Sequence, residues 1–208
     1  MTLQLWIAFV LASGVLLVIP GPTVLLVIGY ALSDGRRSAL SVVTGVALGD
    51  FVAMTLSVIG LGALLAASAT AFTVLKWVGA IYLVYLGIMM WRRPPQLTAN
   101  LAAQPRSSDL AKLGHAFAVT VLNPKSIAFF VAFVPQFLTP TAPLSAQLPV
   151  LVVTFVSLAA ASSFAFAMAA GTLRERIREP RILRAINRIG GSVLIGAGIA
   201  TAALRRSG

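Results

Sequence analysis

The sequence predicts an all-α integral membrane protein with six transmembrane helices, arranged as two inverted three-helix repeats with broken helices in spans 1 and 4. Three observations carry that expectation. Of 208 residues, 59% are hydrophobic and 10% charged, and the mean hydropathy is +0.96. Six apolar stretches stand out, near 3–33, 38–66, 69–91, 115–138, 145–173 and 189–204, against a requirement of about 20 residues for a helix to cross a bilayer. The first and fourth are interrupted, by Pro20-Gly21-Pro22 and by Asn123-Pro124, at matching places in the two halves. The whole chain, 1–208, reads as a single transporter domain: repeat 1 at about 1–93, a cytoplasmic loop at 94–114, and repeat 2 at about 115–208.

Span 1 begins after Met1-Thr2-Leu3-Gln4-Leu5-Trp6, which carries no Lys or Arg, and its apolar stretch is longer than a signal-peptide core, so it is expected to remain as a span. Pro20 and Pro22 lack an N–H and Gly21 permits a sharp backbone change, so the helix must break here. Pro22 suits the first position of a restarted helix and leaves the amides near Thr23 free. In span 2, Gly45-x-x-x-Gly49 reads as a close-packing face for another helix. Span 3 carries Trp77, Tyr82 and Trp91 near its ends, where interfacial aromatics belong. Span 4 opens near the single histidine, His115, and is broken at Asn123-Pro124. Gln136 is expected either to line the outer end of a path or to cap a turn. Span 6 is rich in glycine (Gly190, Gly191, Gly196, Gly198), read as packing.

Three spans per half is an odd number, so the second half must run inverted. Lys76-Trp77-Val78-Gly79-Ala80-Ile81 is similar to Arg188-Ile189-Gly190-Gly191-Ser192-Val193, and paired broken helices in inverted repeats are a signature of secondary transporters. The loops 34–37, 92–114 and 174–188 hold twelve of the sixteen Lys and Arg residues. That bias places those loops in the cytoplasm and both termini outside.

The net charge of +11 does not point to nucleic acid, because the basic residues lie in short runs between apolar segments with no basic-aromatic face. The absence of cysteine excludes disulfides, thiolate chemistry and Cys-ligated metals. No cofactor or metal is expected.

Lys125 is the most informative residue. It lies about ten residues into its span, roughly 15 Å, and a cation at that depth faces a cavity or a partner. Asn123 is a good N-cap and Pro124 fits the first helical turn, so Lys125 stands beside a positive dipole end and calls for an anion. A carboxylate, of a substrate or of the protein, would answer it; the alternative is a lysine that snorkels to the interface. Asp50 is the one acidic residue inside an apolar stretch, about twelve residues deep or roughly 18 Å. It is a candidate proton carrier, or a structural carboxylate satisfied by hydroxyls or by Lys125. The expected substrate-binding residues are therefore Pro20, Gly21, Pro22, Thr23, Asn123, Pro124 and Lys125, with Asp50 for coupling.

Taken together, Pro20-Gly21-Pro22, Gly49-Asp50, Gly79-Ala80-Ile81-Tyr82-Leu83-Val84-Tyr85-Leu86-Gly87, Asn123-Pro124-Lys125 and Pro135-Gln136-Phe137 resemble the LysE/RhtB family of bacterial amino-acid exporters. Thr23 stands where that family often has Asn. The resemblance implies efflux of amino acids or their derivatives from the cytoplasm across the bacterial inner membrane, coupled to protons, by a protein of about six spans that assembles as a homodimer. An intramembrane enzyme is disfavoured: one His, no Cys and one intramembrane carboxylate supply neither a nucleophile–base pair nor a metal site. A passive channel is the remaining alternative.

Overall fold

The structure, a computed structural model of the chain, describes residues 1–19, 21–92, 107–139, 142–177 and 180–203. Among the described residues, eight α-helices form it: α1 (Leu3–Val18), α2 (Pro22–Ser33), α3 (Ala39–Ala67), α4 (Ala69–Arg92), α5 (Asp109–Val121), α6 (Pro124–Ala132), α7 (Leu144–Ile177) and α8 (Pro180–Ala203). Short 3-10 turns at Arg36–Ser38 and Val134–Phe137 complete it, and there is no strand among the described residues.

Among the described residues, three helical segments are long and apolar enough to cross a membrane alone: Ala39–Ala63, Thr73–Arg92 and Leu144–Ala170. Two bent pairs qualify jointly, α1 with α2 at 56° and α5 with α6 through Phe137 at 46°, which makes up to five spans. The expected sixth, 189–204, falls in α8. There the apolar run from Ile189 to Ala203 is about 15 residues, preceded by Arg181, Arg184 and Arg188, short of the ~18–20 that reads as a span on its own. The stretch expected as a charged loop at 174–188 is also largely helical, because α7 continues to Ile177 and α8 starts at Pro180. Arg, Glu and Leu are good helix formers, so charge alone does not break a helix there.

Local chemistry explains the boundaries. Thr2 caps α1 by accepting from the Leu5 amide at 3.3 Å, and Ser68 accepts from Ala71 N–H at 3.1 Å where the chain turns from α3 into α4. Gly35, at φ 73°, makes the turn after α2. On α3 the buried side chains Val42, Val46, Asp50, Ala53 and Met54 follow one stripe, while Leu40, Leu48, Phe51 and Ile59 are exposed. On α4, Val74, Trp77, Val78, Ile81, Tyr85 and Ile88 form an exposed apolar face, opposite the buried Ala80 and Leu83. In water such a face would be an aggregation surface; against lipid it is at home.

The helices pack in an exchange pattern. The second broken pair, α5–α6, lies against α3; the first, α1–α2, lies against α7; α3 contacts α7, and α4 contacts α8 extensively. Glycines permit two of these approaches. A Cβ on Gly49 would fall 2.7 Å from Thr120 Cβ on α5, and one on Gly45 would run into the Leu113 carbonyl. Gly87 and Gly191 meet backbone to backbone, where a Cβ on Gly87 would lie 2.5 Å from the Gly191 carbonyl oxygen. The packing role expected for Gly45-x-x-x-Gly49, Gly190, Gly191 and Gly198 therefore holds, whereas Gly196 faces open space. Gly49→Leu should destabilise the fold by about 1–3 kcal/mol through overpacking, read as a lower melting temperature in detergent. Gly196→Leu is the control and should leave the melting temperature within the scatter of repeats.

Candidate functional site

The site grows from the ends of broken helices. In a continuous helix the amide of residue 20 would bond to the Leu16 carbonyl, but proline has no N–H to offer. Ile19 turns extended, at φ −65° and ψ 118°, and its carbonyl also leaves the helical ladder. Lys125 meets both groups: its Nζ donates to Leu16 O at 3.0 Å and to Ile19 O at 2.9 Å. The ammonium thus sits at the negative end of α1, which relieves the unfavourable placement of a cation at the start of α6. Gly21 leaves the space, since a Cβ there would lie 3.3 Å from Nζ.

The second break is built as its sequence predicts. α5 ends at Val121, and Asn123 turns extended and accepts from the Lys125 amide through its side chain at 3.1 Å, with Pro124 in the first turn of α6. Asn123 Nδ2 then donates across to Thr23 Oγ1 at 3.1 Å, and Thr23 Oγ1 lies 3.5 Å from Thr120 Oγ1. Pro22 opens α2 with Gly21 as its extended N-cap residue. Thr23, Asn123 and Lys125 thereby clip the two breaks side by side.

Asp50 faces the same place from α3. It is 2% exposed and its Oδ1 has no hydrogen-bond partner. Thr23, Asp50, Asn123, Lys125, Ser126, Ser162 and Ser163 line one cavity with Leu16, Leu17, Val24 and Val46. Its volume is about 20 Å³, room for roughly one water. No salt bridge joins Lys125 to Asp50, whereas Lys112 is paired with Asp34 and Asp109.

This polar layer lies between two apolar clusters, as each contributing element records in its own order. On α3, Asp50 stands between Val46 of one cluster and Ala53 of the other. On α7, Ser163 stands between Ala159 and Ala167, and across the second break Asn123 stands between Ala116 and Ala128. Phe129, Phe130, Phe155 and Phe137 fill the first cluster; Val27, Ile28, Tyr30 and Val42 belong to the second. Packed apolar side chains thus flank the polar layer on both sides.

Of the expected site residues, Thr23, Asn123 and Lys125 line the cavity with Asp50, and Gly21 stands beside Lys125. Pro22 and Pro124 open the restarted helices without lining the cavity, and Pro20 lies outside the described residues. Thr120, Ser126, Ser162 and Ser163 were not singled out by sequence reasoning. Their signal is faint, hydroxyls at small-residue positions of apolar helices. Other expectations are redirected. Lys112, counted as a loop cation, is on α5 and buried, paired with Asp34 at 2.9 Å and with Asp109 at 3.3 Å. His115 is satisfied by the Tyr30 hydroxyl, 3.0 Å from Nδ1. Gln136 locks a turn, donating to Ala132 O at 3.1 Å and to Thr201 Oγ1 at 2.6 Å. No group of three or more His, Cys, Asp or Glu able to hold a metal occurs among the described residues.

Comparison with known proteins decides the family. The LysE type translocator model matches residues 14–204, both breaks and Asp50 included. The chain belongs to that family. This LysE-type translocator is 39% identical over 199 residues to an uncharacterized membrane protein of Vibrio cholerae, covering 96% of this chain and 97% of the relative. It is 34% identical over 204 residues to the homoserine/homoserine lactone efflux protein of Salmonella typhimurium, covering 97% and 98%. Against the leucine efflux protein of an Enterobacter species it is 31% identical over 143 residues, covering 67% and 66%. No solved structure matches the chain.

Proposed function

We propose that this LysE-type translocator is a secondary transporter that exports amino acids or their derivatives from the cytoplasm by proton antiport. One observation carries the reading: a lysine at two helix breaks and a buried carboxylate with an unpartnered oxygen share a small polar cavity between two apolar clusters. A cation with a donor to spare suits a substrate carboxylate, and a lone buried carboxylate suits a proton. Opening one apolar cluster while the other stays packed would expose the site to one side at a time, as alternating access requires. The names of the Salmonella and Enterobacter relatives support amino-acid-like cargo.

The exchange pattern of packing supports two inverted three-helix repeats, with α1–α2, α3 and α4 matched to α5–α6, α7 and α8. We retain the inner-membrane orientation with the arginine-rich connections in the cytoplasm. The cysteine-free chain allows a clean check. Leu110→Cys should react with an impermeant maleimide in inverted vesicles only, and Leu144→Cys in intact spheroplasts only; the reverse pattern would invert the orientation.

The function is tested in proteoliposomes loaded with radiolabelled L-homoserine or L-leucine. An imposed pH gradient should drive one of them uphill. Flux that only relaxes a concentration gradient would make the protein a channel, and no flux of either would remove the assignment.

A further inference from the structure

The polar cavity is too small for an amino acid, yet it shares two walls with a much larger space. A groove of about 450 Å³ runs between α1 and α7, lined by Gly14, Leu17 and Val18 on one side and by Leu158, Ala161, Ala165 and their neighbours on the other. That volume lies within the range of small-molecule pockets, about 300–1,000 Å³. Leu17 and Ser162 line both spaces, so one half-buried leucine side chain and one serine separate them. Ser162 is the one polar side chain in the groove.

We infer that the groove is the side-chain subsite of the transporter, taking the aliphatic side chain of an amino acid whose carboxylate reaches into the polar cavity once Leu17 turns aside. The inference rests on the function proposed above and names its substrate class. Two features favour this occupant over a lipid tail. Across Leu17 and Ser162 the groove abuts a chamber whose Asp50 Oδ1 is unpartnered at 2% exposure, so a ligand that spans this wall finds a polar partner for its polar end. Moreover, apolar clusters flank the polar layer on either side, and the Leu17–Ser162 wall is the part of its lining that also borders a space large enough for a longer ligand. Rotation of Leu17 would join the two spaces. Helix spacing repeats the design: Gly14, Leu17 and Val18 share a face of α1, and Leu158, Ala161, Ser162 and Ala165 share a face of α7.

The subsite is tested with L-alanine, L-norvaline and L-norleucine as competing substrates of the reconstituted protein. Each methylene buried in the groove should tighten KM by up to about fourfold, giving a norleucine preference over alanine of tenfold or more. Gly14→Leu should erase most of that preference. A Cβ at Gly14 meets nothing within 4 Å, so the added side chain fills the groove without a clash at its root. Ala165→Leu, from the facing wall, should do the same. The ligand-induced rise in melting temperature along the series reads out any variant that binds without turnover. Equal KM values across the series in the wild type, with alanine transported, would overturn the subsite and leave the transport function standing. A preference that survives both substitutions would overturn it as well. No flux or binding of any of the three, nor of homoserine or leucine, removes the proposed function itself.

Discussion

Lys125→Met should reduce export by at least a hundredfold and also destabilise the protein. Nζ is the partner of Leu16 O and Ile19 O, two carbonyls that the break in the first helix releases from the ladder. Leaving two buried acceptors unmatched costs about 1–3 kcal/mol each, so unfolding in detergent should shift down by several degrees. Stability alone does not account for the hundredfold. An ammonium has three N–H donors, two of them spent on α1, so one remains for a substrate carboxylate in the cavity. Lys125→Arg should not rescue export, because Gly21 leaves room for a compact ammonium and not for a planar guanidinium. Gly21→Ala is the complementary test. Its Cβ would stand 3.3 Å from Nζ and press the ammonium off the carbonyls, so KM should rise while the protein still folds. Flux and melting temperature together check these statements. Normal export by Lys125→Met would remove the lysine from the mechanism.

Much of this site was legible in the sequence because its chemistry is local. Proline without an N–H, asparagine as a cap and a lysine deep in an apolar run each carry their meaning within a few residues, and all appear where expected. What the sequence could not convey was partnership across distance. Nothing in the local pattern says that Lys125 reaches residues 16 and 19 rather than Asp50, since backbone carbonyls have no residue code. Ser162 and Ser163 were hidden for a related reason: serine in an alanine-rich helix reads as small before it reads as polar. Lys112 was misplaced because a cation near the end of an apolar stretch satisfies the topology rule equally well as a loop residue or as a buried partner of Asp34. Span counting blurred at α8, where arginine-bearing turns and an apolar run share one continuous helix.

The two apolar clusters give the site its logic. Asp50, Ser163 and Asn123 each interrupt a run of buried apolar side chains, so the polar layer is a break in packing shared by several helices. The two clusters draw on different parts of the chain. The first is dominated by aromatic contacts, Phe130 on Phe155 at 4.9 Å and Phe133 on Phe137 at 5.2 Å. The second is mainly aliphatic, with Tyr30 inside it and Phe166 packed against it, and adjoins the Lys112–Asp34 pair next to α2. Under the alternating access proposed above, these are the two packings that must open in turn.

Asp50→Asn should separate transport from its driving force. Asn keeps the size and polarity of the side chain but cannot exchange a proton, so it fixes the neutral form. In proteoliposomes the wild type should move substrate uphill when a pH gradient is imposed; the variant should show the same flux with and without the gradient. Substrate exchange at equal pH should persist within a few-fold, since exchange needs no net proton movement. The geometry makes this split specific to Asp50. Its Oδ1 bonds to nothing, so removal of the charge breaks no hydrogen bond there, and Lys125 keeps its two carbonyl partners when the carboxylate is gone. The fold should therefore survive, with a melting temperature close to that of the wild type, unlike the Lys125 variants. If Asp50→Asn still responds fully to the pH gradient, the proton travels by another group and Asp50 is a structural carboxylate. If exchange disappears as well while the protein remains folded, Asp50 contacts the substrate, and the polar end of the ligand must then lie between Lys125 and Asp50.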